Sequence, residues 1–201
     1  NNSITGLYQN GAISVPASGG MGLFYNANNK ISRVRLIDID IYNYSGTVGG
    51  IAGMTFDNAL IEKITVTGKI DSMSGIDGGV IGLANGGRVR NADVSADIGL
   101  RTGSGHFIGG VTGFSGPQTI IEKSSFRGNI KGSAATGGIA GMGSEIYDSS
   151  SHGTITGGSM AGGILATHSG GAIDGNWSSM DIVAVNEAGG IAGNAYQISN
   201  C

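Results

Sequence analysis

Three histidines, His106, His152 and His168, and a thin scatter of carboxylates are the side chains of this chain with the widest chemical repertoire. A hydrolytic zinc needs two histidines one helical turn apart with a glutamate beside them, because the imidazoles hold the ion and the carboxylate activates its water. No His-Glu-x-x-His is present, and the three histidines stand far apart. Each is therefore read as a solvent-exposed structural residue, and no metal ligand is assigned. A glycine-rich loop that cradles phosphate needs a helix N-terminus behind it. No amphipathic helical period is visible, so no cofactor is expected.

Asp93, Asp97 and Asp181, with Asp71, are the acids that could supply the paired carboxylates of a polysaccharide lyase or hydrolase. Trp177 and the pair Tyr42 and Tyr44 are the candidates for ligand contact, since exposed rings stack on sugars and anchor protein interfaces. Glu62-Lys63 and Glu122-Lys123 recur after isoleucine and read as a solvated turn at the start of a strand. What any of these residues does depends on the elements that carry it.

Composition narrows those elements. Glycine contributes 40 of 201 residues and proline only 2, which rules out a collagen-like or low-complexity chain and leaves glycine to serve regular structure. Charged residues make up 12% with a net charge of -3, without runs, so neither a nucleic-acid footprint nor a membrane-attracting patch is expected. Apolar runs such as Gly162 to Ala166 are far too short to span a bilayer. The single cysteine, Cys201, cannot form an internal disulfide.

A repeat organises the whole chain. Gly-Gly pairs followed by an apolar residue start at Gly19, Gly49, Gly78, Gly109, Gly137, Gly162 and Gly189, a spacing of about 28 residues. A second element aligns on Ile61, Val89, Ile121, Ile146, Ile173 and Ile198. Nine residues on, each complete copy carries isoleucine: Ile70, Ile98, Ile130, Ile155 and Ile182. The columns at three, five and seven are mostly small or apolar, whereas those at four, six and eight are overwhelmingly polar, as in Thr65, Asp93, Ser125 and Ser150, with Trp177 the exception in that column. Alternation with period two marks a strand with one buried face. One such strand cannot bury that face alone, so the copies must stack in parallel and share a core. An earlier copy runs through Ile31, Val34, Leu36, Ile39 and Ile41, where the last two fall one residue late, as a bulge would place them.

The expected fold is all-β: a right-handed parallel β-helix of six to seven coils, one domain over residues 1–201, with 1–18 as a cap or preceding partial coil and 19–201 as repeats. Stacking would put Asp93 and Asp97 between Thr65 and Lys69 on one side and Ser125 and Asn129 on the other, so no second carboxylate meets either and no catalytic residue is assigned. Gly-Gly corners are expected where the backbone needs φ > 0 or a close approach.

Met21-Gly22-Leu23-Phe24, the run Ile31 to Ile41 and Gly49-Gly50-Ile51-Ala52-Gly53 resemble the GLUG motifs of bacterial IgA1-protease-type metallopeptidases and large surface adhesins. The resemblance covers Gly19 to Cys201. It implies an extracellular or cell-surface bacterial module, non-catalytic, secreted as part of a larger virulence protein and acting as a rigid stalk or adhesive region. Partners implied are the other domains of that protein and a host glycoprotein or glycan, without nucleic acid or membrane insertion. The competing expectation is a carbohydrate-active β-helix enzyme using one lateral face.

Overall fold

The computed structural model describes residues 2–11, 20–43, 46–73, 75–100, 106–143 and 145–201. Among these residues every strand pairing is parallel, and the strands fall into two sheets of 17 and seven strands. The smaller sheet stacks Gly20–Met21, Gly46–Gly49, Gly75–Gly78, Phe107–Gly109, Ala135–Gly137, Met160–Gly162 and Glu187–Gly189, one from each coil. The chain is a β-solenoid of about six turns spaced by about 28 residues.

The registers follow the sequence columns. Ile61 pairs with Val89, Val89 with Ile121, Ile121 with Ile146, Ile146 with Ile173, and Ile173 with Ile198. The isoleucine ladder Ile70, Ile98, Ile130, Ile155 and Ile182 is likewise in step, and its first four members are fully buried. In Lys30–Asn43 the register slips between Leu36 and Ile39, the site of the expected bulge. Asn2–Thr5 and Tyr8–Gly11 both pair with Lys30–Asn43, so residues 2–11 belong to a preceding coil.

Glycine at the repeat pairs that start at Gly49, Gly78, Gly109, Gly137, Gly162 and Gly189 works by close approach, and none of these has a left-handed φ, unlike Gly86-Gly87, Gly157-Gly158 and Gly170-Gly171. A methyl on the first glycine, as at Gly137 or Gly162, would overlap the carbonyl oxygen three residues on, Ala140 or Leu165. On the second, as at Gly138 or Gly163, it would overlap the carbonyl oxygen of the same glycine one coil further, Gly163 or Gly190. The third glycine, such as Gly113 or Gly141, lies against the small sheet of the preceding coil. Two sheets thus meet here at backbone distance.

Left-handed residues appear elsewhere, at a corner the sequence columns do not reveal. Two residues into each aligned strand stand Arg33, Lys63, Asn91, Lys123, Asp148, Gly175 and Asn200, all with φ between 47° and 66°. Only one is glycine, although the conformation is unfavourable for most side chains. The corner interrupts the sheet ladder, and the next residue inward repairs it. Ala92 N–H donates to Ser124 Oγ (3.3 Å), Ser124 N–H to Ser149 Oγ (3.2 Å) and Ser149 N–H to Asn176 Oδ1 (2.9 Å). Asn176 Nδ2 donates in turn to Ile146 O at 2.8 Å. The small polar residues of column three are therefore backbone acceptors inside the stack.

Asn176→Ala should remove the acceptor of a buried N–H and lower the free energy of unfolding by roughly 1–3 kcal/mol. Chemical denaturation monitored by circular dichroism checks this, and a change below about 0.5 kcal/mol would show that the ladder is dispensable.

Candidate functional site

The aromatic candidates do not converge. Trp177 stands in register with Ser150 on the outer face and is 56% exposed. Tyr42 is half-buried and pairs with Asp71 on the next strand. It lies five coils from Trp177, roughly 24 Å at the spacing of paired strands. Tyr44 falls outside the described residues.

The outward acids are engaged by neighbours one coil away. Asp93 Oδ1 accepts from Ser125 Oγ at 2.8 Å. Asp97 Oδ1 accepts from Asn129 Nδ2 at 2.9 Å, and Asn129 Oδ1 accepts from Thr154 Oγ1 at 2.7 Å, so one row crosses three coils. His152 Nδ1 and Ser179 Oγ form a similar link at 2.7 Å. Asp93 and Asp97 line separate cavities. Asp97 shares one of about 200 Å³ with Lys69, Asp71 and Leu100, which brings two of the candidate acids together. No cluster of three metal-ligating side chains occurs among the described residues.

Two expectations need correction. His168 is 4% exposed, not solvated: its Nδ1 accepts from Tyr196 N–H at 3.2 Å, and the two rings lie 6.0 Å apart. Glu62 is also buried, because each neighbouring coil offers it a cation. Lys30 Nζ and Arg90 Nη2 both lie 2.6 Å from its carboxylate, and these partners hold its pKa down to about 2. Arg88 bonds Glu122 at 2.9 Å on the same flank. The signal was available: once the repeats are aligned, Lys30 precedes the first column while Glu62 and Arg90 follow it on successive copies.

One buried acid carries no signal in the repeat columns of the sequence. Asp77 stands in the inward column of the small sheet, between Val48 and Ile108, and is fully buried. Its Oδ2 accepts from Ser72 N–H at 3.2 Å, while Oδ1 has no hydrogen-bond partner among the described residues. Burial, with Asp71 nearby, raises its pKa to about 7. At 0% exposure Asp77 acts on stability.

Comparison with protein-family models, with curated proteins and with solved structures finds none that matches the chain.

The two buried acids should leave opposite marks on stability against pH. Glu62 has a depressed pKa, so its contribution is complete above its ordinary 4.5 and is lost as pH falls towards 2. Asp77 has a raised pKa, so its ionisation destabilises the fold progressively from about pH 4 to about pH 7. Thermal melts should show Glu62→Gln below wild type at pH 7, with the gap closing towards pH 2. Asp77→Asn should match wild type at pH 4 and exceed it at pH 8. Curves that stay parallel to wild type would refute both assignments.

Proposed function

We propose that this chain is a non-catalytic repeat module of the GLUG type, serving as a rigid stalk or adhesive region in a large secreted or surface-anchored bacterial protein. The observation that carries the reading is an outer face whose polar side chains bond to one another from coil to coil over an unbroken core. Six coils at the parallel-strand spacing give a rod roughly 29 Å long. Each coil is tied to both neighbours along most of its length, which suits a spacer that must transmit force or hold a partner at distance. Placement outside the cell, attachment to further domains and a host glycoprotein or glycan as partner come with the GLUG resemblance.

The rival reading is a carbohydrate-active enzyme, and the cavity shared by Lys69, Asp71 and Asp97 is where it would act. Against it, Asp97 is already bonded to Asn129 and Asp71 is buried. Paired acid and base carboxylates must both reach the scissile bond.

Incubation with a panel of acidic and neutral polysaccharides, followed by chromatography for shortened products, decides between the two. The scaffold reading expects no product. Product formation by the wild type that disappears in Asp97→Asn would replace the scaffold by the enzyme.

A further inference from the structure

Cations on one flank of the rod are held by acids: Lys30 and Arg90 by Glu62, and Arg88 by Glu122. Around the adjoining corner three are not. Arg33 and Lys63 occupy the left-handed corner of consecutive coils, with φ of 59° and 56°. Arg35 stands two residues beyond Arg33, paired with Thr65, which pairs in turn with Asp93. Arg33, Arg35 and Lys63 are exposed and form no ion pair or side-chain hydrogen bond among the described residues. With Thr65, Asn91 and Asp93 they line an open groove of about 350 Å³ across three coils.

The concentration of charge is unusual for this molecule. The chain has 11 cations and a net charge of -3, yet this groove gathers three cations against one carboxylate. That carboxylate, Asp93, accepts from Ser125. A position rich in unpaired guanidinium and ammonium groups invites an oxyanion, which arginine takes through paired N–H donors. Apart from Ile64, the rest of the lining offers a hydroxyl, an amide and a carboxylate oxygen, the set that recognises sugar hydroxyls. Successive coils are ~4.8 Å apart, comparable to the length of one pyranose ring. No aromatic side chain lines the groove, so nucleobases would find no stacking platform, and the net negative charge opposes a long polyanion.

We infer that this groove binds an acidic oligosaccharide, with Arg33, Arg35 and Lys63 holding a carboxylate or sulfate and Thr65, Asn91 and Asp93 the neighbouring hydroxyls. The inference deepens the scaffold reading and rests on it only in that the sugar is bound and left intact. Carboxylated and sulfated sugars share the recognising chemistry, and the test separates them.

The chain is titrated calorimetrically with a tetragalacturonide, a heparin-derived tetrasaccharide, neutral cellotetraose and a thymidine oligonucleotide. One or both acidic sugars should bind at least about tenfold more tightly than cellotetraose and the oligonucleotide, and binding should weaken as salt rises. The sugar that binds more tightly identifies the anion. The variant Arg33→Asn/Arg35→Ala/Lys63→Asn should lose roughly tenfold or more in affinity. Asparagine tolerates the left-handed corner and already stands there at Asn91 and Asn200, so the fold should survive, with a melt as the check. Should that variant unfold, Arg35→Ala alone, at an exposed strand position, should still weaken binding severalfold. Absence of binding, equal binding of neutral and acidic sugars, a preference for the oligonucleotide, or undiminished affinity in the folded variants would overturn the inference. Failure to bind with no turnover leaves the scaffold reading in place. Binding followed by cleavage supports the groove and overturns the scaffold reading instead.

Discussion

The absence of room for a Cβ atom at one corner of every coil is the constraint on which the structure depends. At Gly138 the space a methyl would need is held by the carbonyl oxygen of Gly163, and at Gly163 by that of Gly190. Neighbouring coils therefore approach at the separation of two backbones. The core behind the corner adjusts to the same limit. A methyl at Gly110 would overlap the ring of Phe126, so glycine there admits the largest fully buried side chain among the described residues. Where the core column changes to Ser151, the hydroxyl donates to the Gly163 carbonyl. Backbone and core are matched coil by coil, as close packing of an interior requires.

A stack built this tightly leaves little slack for polar groups, and the chain meets the need with periodic side chains. The left-handed corner breaks the backbone ladder once per turn, and Ser124, Ser149 and Asn176 restore an acceptor at successive coils. Outside, Asp97, Asn129 and Thr154 form the matching row. The Lys30–Glu62–Arg90 cluster joins three coils by charge, a carboxylate between two cations. These rows repeat along the rod, which is why the surface offers so few isolated reactive groups. The groove at Arg33, Arg35 and Lys63 stands out because three cations outside these rows gather in one place.

The core was legible in the sequence because stacking repeats identical requirements. Ile98 and Ile130 are readable as ladder partners from spacing alone, and the late positions of Ile39 and Ile41 locate the bulge. Features that depend on the path of the chain were not legible. Lys63 and Lys123 read as solvated turn residues, since nothing in a lysine announces a left-handed φ. Burial of Glu62 follows only once Lys30 and Arg90 are set on either side of it. His168 sits in a glycine- and serine-rich stretch, and its burial against Tyr196 comes from a coil 28 residues away. Asp77 breaks an otherwise small or apolar inward column, and only the register of the small sheet makes that visible.

The central claim is that the second glycine of each pair is fixed by the coil stacked next to it. Gly138 and Gly190 occupy the same place in the motif, yet a methyl at Gly138 would strike Gly163 and Ser151, whereas Gly190 has no atom within 4 Å of that position. Equilibrium denaturation of Gly138→Ala and Gly190→Ala compares the two directly. The account predicts a loss of more than about 2 kcal/mol for Gly138→Ala, from overpacking. It predicts a change of no more than about 0.5 kcal/mol for Gly190→Ala. Equal effects at the two positions would contradict it, because the glycine requirement would then belong to the corner itself and not to the coil stacked against it.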